Sequence, residues 1–204
     1  MSDARSIEEA GRIIGAGGIV VYPTETLYGL GVAGHSAAAL DNLIALKGRG
    51  AGRGMSLLVR DLDSAADLIA GPVADGARRL AAGCWPGPLT IVLPASAAVP
   101  EALVGPAGGV GLRCSPDPVC RALVEAAGAA LTSTSANPSG SAPATTCAQA
   151  RAYFAQRVDC YLDDGPRDGA PSSVVEFLGG TAYLRRAGAI AAEHISQIVP
   201  LQPE

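Results

Sequence analysis

The chain has 204 residues, of which 49% are hydrophobic and 17% charged, with a net charge of −4. That length buries a sizeable core in one generous domain or two small ones, and the acidic balance excludes nucleic-acid binding through a broad basic face while leaving room for a local anion pocket. No apolar run reaches transmembrane length, and the acidic, amphipathic start Met1-Ser2-Asp3-Ala4-Arg5-Ser6-Ile7-Glu8-Glu9 is unlike a secretory signal, so the expectation is a cytoplasmic protein with no membrane partner.

A helix is expected over Ser6–Ala16, with Ser6 as N-cap, Glu9 completing a capping box and Gly17-Gly18 ending it. Ile19-Val20-Val21-Tyr22 reads as a short buried strand that breaks at Pro23 into a loop, Thr24-Glu25-Thr26-Leu27-Tyr28-Gly29-Leu30-Gly31. Ser36 can cap a second helix in which Leu40, Leu43, Ile44 and Lys47 share a face, with Lys47 at the C-terminal end. Strands are expected at Ser56–Val59, Leu89–Leu93 and Val110–Arg113, with two short helices near Ala65–Ile69 and Val73–Ala82. Beyond them follow a helix at Asp117–Ala127, a short strand at Ala130–Thr132 and a helix at Thr146–Arg157. Strands at Cys160–Leu162, Val174–Phe177 and Tyr183–Arg185 close the sheet, and a last helix begins near Ala191.

Helices and strands alternate without an internal repeat, a linker or a charged tail. That pattern describes a single α/β domain over residues 1–204, a mixed, twisted sheet flanked by helices, whose strand order the sequence leaves open. Cys84, Cys114, Cys120, Cys147 and Cys160 are odd in number and include no CxxC pair, so reduced, buried thiols are expected and no metal site.

Lys47 is the only lysine, beside Arg49 and Arg53, in a chain whose other basic residues are arginine. Lys and Arg part ways where a compact ammonium must meet an anion as a point charge, which makes this cluster a candidate anion site. Further polar segments fall at the ends of expected strands, where open α/β sheets bind ligands. They are Pro23-Thr24-Glu25-Thr26, Arg113, Ser133-Thr134-Ser135-Ala136-Asn137-Pro138-Ser139-Gly140, Pro171-Ser172-Ser173 and Arg185-Arg186-Ala187-Gly188. Each alone is as readily a turn, a cap or a solvated arginine; their order and spacing carry the weight. Together they supply hydroxyls, backbone N–H groups and fixed positive charges without an evident acid or base, since His35 and His194 lie outside the set. Such a site holds and polarises anionic reactants, as nucleotidyl transfer requires.

The chain resembles the YrdC-like family, in particular its short-form threonylcarbamoyl-AMP synthases. Lys47, Arg49, Ser135 and Asn137 match the family's K-x-R … S-x-N signature. Tyr22–Gly31 resembles its opening loop and Trp85-Pro86-Gly87-Pro88-Leu89-Thr90 its central turn. Asp163-Asp164-Gly165, Pro171–Val175 and Leu184–Ile190 resemble its last strands, so that the likeness runs in collinear order over residues 7 to 190. The resemblance implies the YrdC-like fold and an ATP-dependent reaction of L-threonine with bicarbonate or carbon dioxide. The products are L-threonylcarbamoyl-AMP and pyrophosphate, with Mg2+ assisting. A separate tRNA threonylcarbamoyl transferase complex then modifies the adenosine next to the anticodon. By the same resemblance Thr26, Arg113, Ser133 and Ser172 hold threonine. Lys47, Arg49, Arg53, Ser135, Asn137 and Arg186 hold ATP, with Lys47 and Arg49 as the catalytic cations. Replacing Lys47 by alanine is expected to remove most turnover and leave the fold intact. The chain departs from the family at Gly50 and at Gly54, where proline is common, and is expected to have no additional C-terminal domain. Two alternatives share the fold: a double-stranded RNA-binding module, which an RNA contact would signal, and a carbamoyl-transfer relative. Acidic charge and the lack of an aromatic stacking platform count against the first.

Overall fold

The computed structural model describes residues 4–48 and 54–203. Helix α1 (Ala4–Gly15) begins two residues before the expected start, so Ser6 lies inside the first turn and not at the cap. Ala4 and Arg5 are good helix formers, and nothing at those positions stops the helix from extending back. Its end is as expected. Gly17 takes φ 89°, and Gly17 and Gly18 donate to Ile14 O and Ile13 O at 2.9 Å each, a Schellman closure that only a residue tolerant of positive φ permits.

Strand β1 (Val20–Pro23) pairs antiparallel with β2 (Tyr28–Gly31), a segment expected as loop. The two glycines that suggested a loop have another purpose. A Cβ on Gly29 or Gly31 would come within 2.9 or 2.8 Å of the Tyr22 ring, so their smallness seats Tyr22 against β2. Helix α2 (Ala37–Lys47) starts at Ser36, whose Oγ accepts from Ala39 N–H, and ends at Lys47 with Gly48 in the left-handed region. Next come β3 (Ser56–Leu58), a 3-10 turn at Asp63–Leu68, α3 (Asp75–Cys84), β4 (Leu89–Pro94) and β5 (Gly109–Arg113). Helix α4 (Pro118–Ala127) is capped by Asp117 and followed by β6 (Leu131–Ser135). The chain continues through α5 (Cys147–Phe154), β7 (Cys160–Tyr161), β8 (Ser173–Leu178), β9 (Thr181–Arg186), α6 (Ala192–Ile198) and a short β10 (Leu201–Gln202).

The strands form one mixed ten-stranded sheet in the order β10-β9-β8-β4-β5-β3-β6-β2-β1-β7. Residues paired across a ladder point to the same face, so the register sorts the side chains. One face carries Val21, Leu30, Leu57, Ile91, Leu112 and Val175 and is closed by the larger core, which includes Leu40 and Leu43 of α2 and Leu80 of α3. The other face carries Val20, Tyr22, Leu58 and Leu131 and, among the described residues, is closed only at one end. There α1 and α4 pack over it with Ala10, Ile14, Val119 and Leu123. Among the described residues no helix covers the same face toward β5, β4 and β8, and the polar residues of the site lie there.

The five cysteines are free, and burial raises the pKa of each thiol. Among the described residues no cluster of His, Cys, Asp and Glu could hold a metal, and no helix is long and apolar enough to cross a membrane.

Candidate active site

Ser56 of β3 sits opposite Ser133 of β6, Leu58 opposite Arg113 of β5, and Gly29 of β2 opposite Ser135. By the same alternation these side chains share the incompletely covered face, and a cavity of about 270 Å³ opens above them. Strand β6 is longer than expected, running to Ser135. Ser133 and Ser135 are therefore fixed on a rigid strand and not in a capping loop.

One end of the cavity is built around Arg113, which is only 5% exposed. Its Nη2 donates to Glu25 Oε1 at 2.6 Å and to Thr26 Oγ1 at 3.1 Å, while its Nε is buried with no hydrogen-bond partner among the described residues. Thr26 is held in place by its own turn. Thr24 Oγ1 accepts from the Thr26 and Leu27 N–H groups at 3.0 and 3.1 Å and lies 2.8 Å from Thr26 Oγ1.

A second cluster comes from β4, the residue before β8, and the end of β9. Thr90 Oγ1 and Ser172 Oγ are 3.0 Å apart, and Arg186 donates from Nη2 to Ser172 Oγ at 3.0 Å and from Nε to Ser172 O at 2.9 Å. Burial, and then the charge of Arg113, lower the pKa of Arg186. Two guanidiniums thus share one partly dehydrated pocket, and an anion placed between them would relieve both penalties.

Lys47 and Asn137 sit at the turn that follows β6, both bonded to Ser135. Neither lines the cavity. The Lys47 ammonium donates to the carbonyls of Ser135 and Asn137, the latter at 2.8 Å, and Lys47 O accepts from Ser139 N–H at 2.8 Å. Asn137 accepts from Ser135 Oγ and donates to Pro138 O and Ser141 O at 3.0 and 2.7 Å. Lys47, Ser135 and Asn137 lock the turn that follows β6 onto the end of α2. Arg49, Gly50 and Arg53 lie outside the described residues. Gly54 is described: a Cβ there would come within 2.8 to 3.0 Å of Leu103 O and the Gly105 backbone, so proline at this position would need that turn to move.

Of the expected site residues, then, Thr26, Arg113, Ser133, Ser135, Ser172 and Arg186 line one cavity. Ser56 and Thr90 line it too, and sequence reasoning did not single them out. Thr90 ends the Trp85–Thr90 segment already marked by its resemblance, whereas Ser56 gives no signal, being one serine at a strand start. No histidine or carboxylate lines the cavity among the described residues. The arrangement can hold anions and order hydroxyl-bonding groups; it does not offer a protein acid or base.

A family model named for Sua5, YciO and YrdC, and described as telomere recombination, matches residues 12–188. A relative from Halorhodospira halophila, threonylcarbamoyl-AMP synthase, is 41% identical over 172 residues, 83% of this chain and 88% of its own length. The chain belongs to the Sua5/YciO/YrdC family. Among solved Sua5/YciO/YrdC structures, Pyrococcus abyssi Sua5 complexed with L-threonine matches with a TM-score of 0.91 at 29% identity. The match covers 97% of this chain and 58% of that one, so this chain spans little more than half of that protein. E. coli YciO matches with a TM-score of 0.82 at 27% identity, covering 91% and 90% of the two chains. The stretch matched by the Sua5/YciO/YrdC model contains every residue that lines the cavity.

Proposed function

We propose that this chain is a threonylcarbamoyl-AMP synthase, a nucleotidyltransferase that serves the threonylcarbamoyladenosine modification of tRNA. The amine of L-threonine adds to carbon dioxide and loses a proton to give a carbamate. A carbamate oxygen then bonds to the α-phosphorus of ATP, and the bond to the departing pyrophosphate breaks. The observation that carries this reading is the cavity shared by Arg113, Arg186 and hydroxyls that include those of Thr26, Thr90, Ser133, Ser135 and Ser172, in a chain 41% identical to a relative so named.

In this reading the threonine carboxylate pairs with Arg113, and Thr26, Ser133 and Ser172 complete its hydrogen bonds. Arg186, with Arg49 and Arg53, neutralises the phosphates, Ser135 hydrogen-bonds to them, and Lys47 and Asn137 fix the turn that presents Ser135. Carbamate attack on ATP needs no general base once the carbamate has formed, which suits walls without a carboxylate or imidazole. The same walls do not fit a resident Mg2+, which takes oxygen ligands and favours carboxylates. Magnesium would enter bound to the phosphates of ATP and to water, and we assign no step to it. The adenylate is the substrate of a later transferase acting on tRNA.

The test is pyrophosphate release with ATP, threonine and bicarbonate, each left out in turn. Release that requires all three is expected. Release that proceeds equally without threonine would overturn the amino-acid assignment.

A further inference from the structure

Glu25 is the middle residue of the Thr24–Thr26 turn, and the protein itself uses both of its carboxylate oxygens. Oε1 accepts from Arg113 Nη2 at 2.6 Å and Oε2 from Ser115 Oγ at 2.5 Å. Arg113 and Thr26 line the cavity, and Glu25 does not. Its side chain is 18% exposed, against 7% for that of Arg113. Ser115 is buried and tied in turn to the start of α4. Asp117 N–H donates to Ser115 Oγ at 3.2 Å, and Asp117 Oδ1 accepts from the N–H groups of Val119 and Cys120. The other Asp117 oxygen accepts from Arg167 at 3.2 Å.

A guanidinium on a flexible stem recognises a carboxylate well only when its fork is already aimed. Here the fork is aimed from the side by a carboxylate that is itself pinned to a capped helix. The same carboxylate offsets one of two guanidiniums that share the pocket, where burial and Arg113 already disfavour the charge on Arg186. We infer that Glu25, anchored by Ser115, is a positioning residue for the amino-acid substrate, acting on that substrate's carboxylate only through Arg113. The inference rests on the threonine assignment above and goes beyond it, because it divides the site. Glu25 and Ser115 serve the amino acid and not the nucleotide.

Calorimetric titration of L-threonine without ATP, and of ATP without threonine, separates these effects in Glu25→Ala, Glu25→Gln and Ser115→Ala. Threonine affinity is expected to fall about tenfold in Glu25→Ala, the loss of one charge-assisted contact, and several-fold in Ser115→Ala, with ATP affinity held within about twofold. Glu25→Gln keeps an acceptor for Arg113 and is expected to recover most of the affinity. It also keeps the test open should the alanine variant not fold. A merely structural role would lower the melting temperature and weaken both ligands together. Threonine affinity unchanged in folded Glu25→Ala and Ser115→Ala, or equal losses for both ligands, would overturn the inference alone. No threonine binding by the unsubstituted chain would overturn the functional reading and this inference with it.

Discussion

The Lys47 ammonium is clasped between the carbonyls of Ser135 and Asn137, in a residue only 4% exposed. Truncating it leaves the Asn137 carbonyl without its donor and the Ser135 carbonyl with the Asn137 N–H in place of two donors. Lys47→Ala is therefore expected to cost about 2–3 kcal/mol of stability, read as a melting temperature lower by roughly 5–10 °C, besides losing most turnover. The fold is still expected to form, at lower stability. Lys47→Arg places a wider, planar group between the same carbonyls and is expected to melt early and turn over poorly; wild-type behaviour in both assays would refute the clasp. Thr26 tests the Arg113 end of the cavity. Thr26→Val keeps the shape but removes the oxygen that accepts from Arg113, and an increase of about tenfold in KM for threonine is expected from steady-state kinetics.

Between elements, the segment after β7 works as a strap across the Thr24–Thr26 turn. Gly169 N–H donates to Thr26 O at 3.1 Å, Arg167 N–H to Thr145 O at 2.7 Å, and the Tyr28 hydroxyl to Gly165 O at 2.7 Å. A Cβ on Gly169 would come within 2.7 Å of Glu25 O and Thr26 Cα, which are backbone and cannot swing away. Gly169→Ala is expected to push the turn off Arg113 and raise KM for threonine about tenfold at unchanged KM for ATP; unaltered kinetics would mean that the strap does not set the turn. Much at this scale was legible in the chain. Ser36 announces the cap of α2, Gly17-Gly18 the end of α1, and the apolar runs most of the strands. What escaped depends on partners distant in sequence. Tyr28–Gly31 reads as loop because its glycines answer to the Tyr22 ring, and Ser133–Ser135 as turn because its hydroxyls answer to a cavity. The pairing of Glu25 with Arg113, 88 residues apart, leaves no local trace at all.

For the molecule as a whole, the sheet divides its labour by face. One face closes the main core, and the other is split between the cover of α1 and α4 and an open floor that holds the site. Tyr22 and Tyr28 tie these regions together, and burial raises the pKa of both hydroxyls, that of Tyr28 to about 12 from 10.0. A phenol whose folded pKa is raised contributes stability in full below its unfolded value and loses it as pH climbs toward the folded one. Stability should hold to about pH 10 and decline between about pH 10 and 12. Tyrosinate absorbance should show the two groups ionising only as the chain unfolds; their ionisation in the folded protein at pH 10 would contradict the burial. The central claim, that the open floor joins threonine and carbon dioxide to AMP, has one direct measurement. Incubation of the chain with ATP, threonine and 13C-bicarbonate, followed by mass spectrometry, should reveal threonylcarbamoyl-AMP carrying the heavy carbon, and none in Arg113→Ala. An unlabelled adenylate, or none from a folded chain that binds both threonine and ATP, would contradict it.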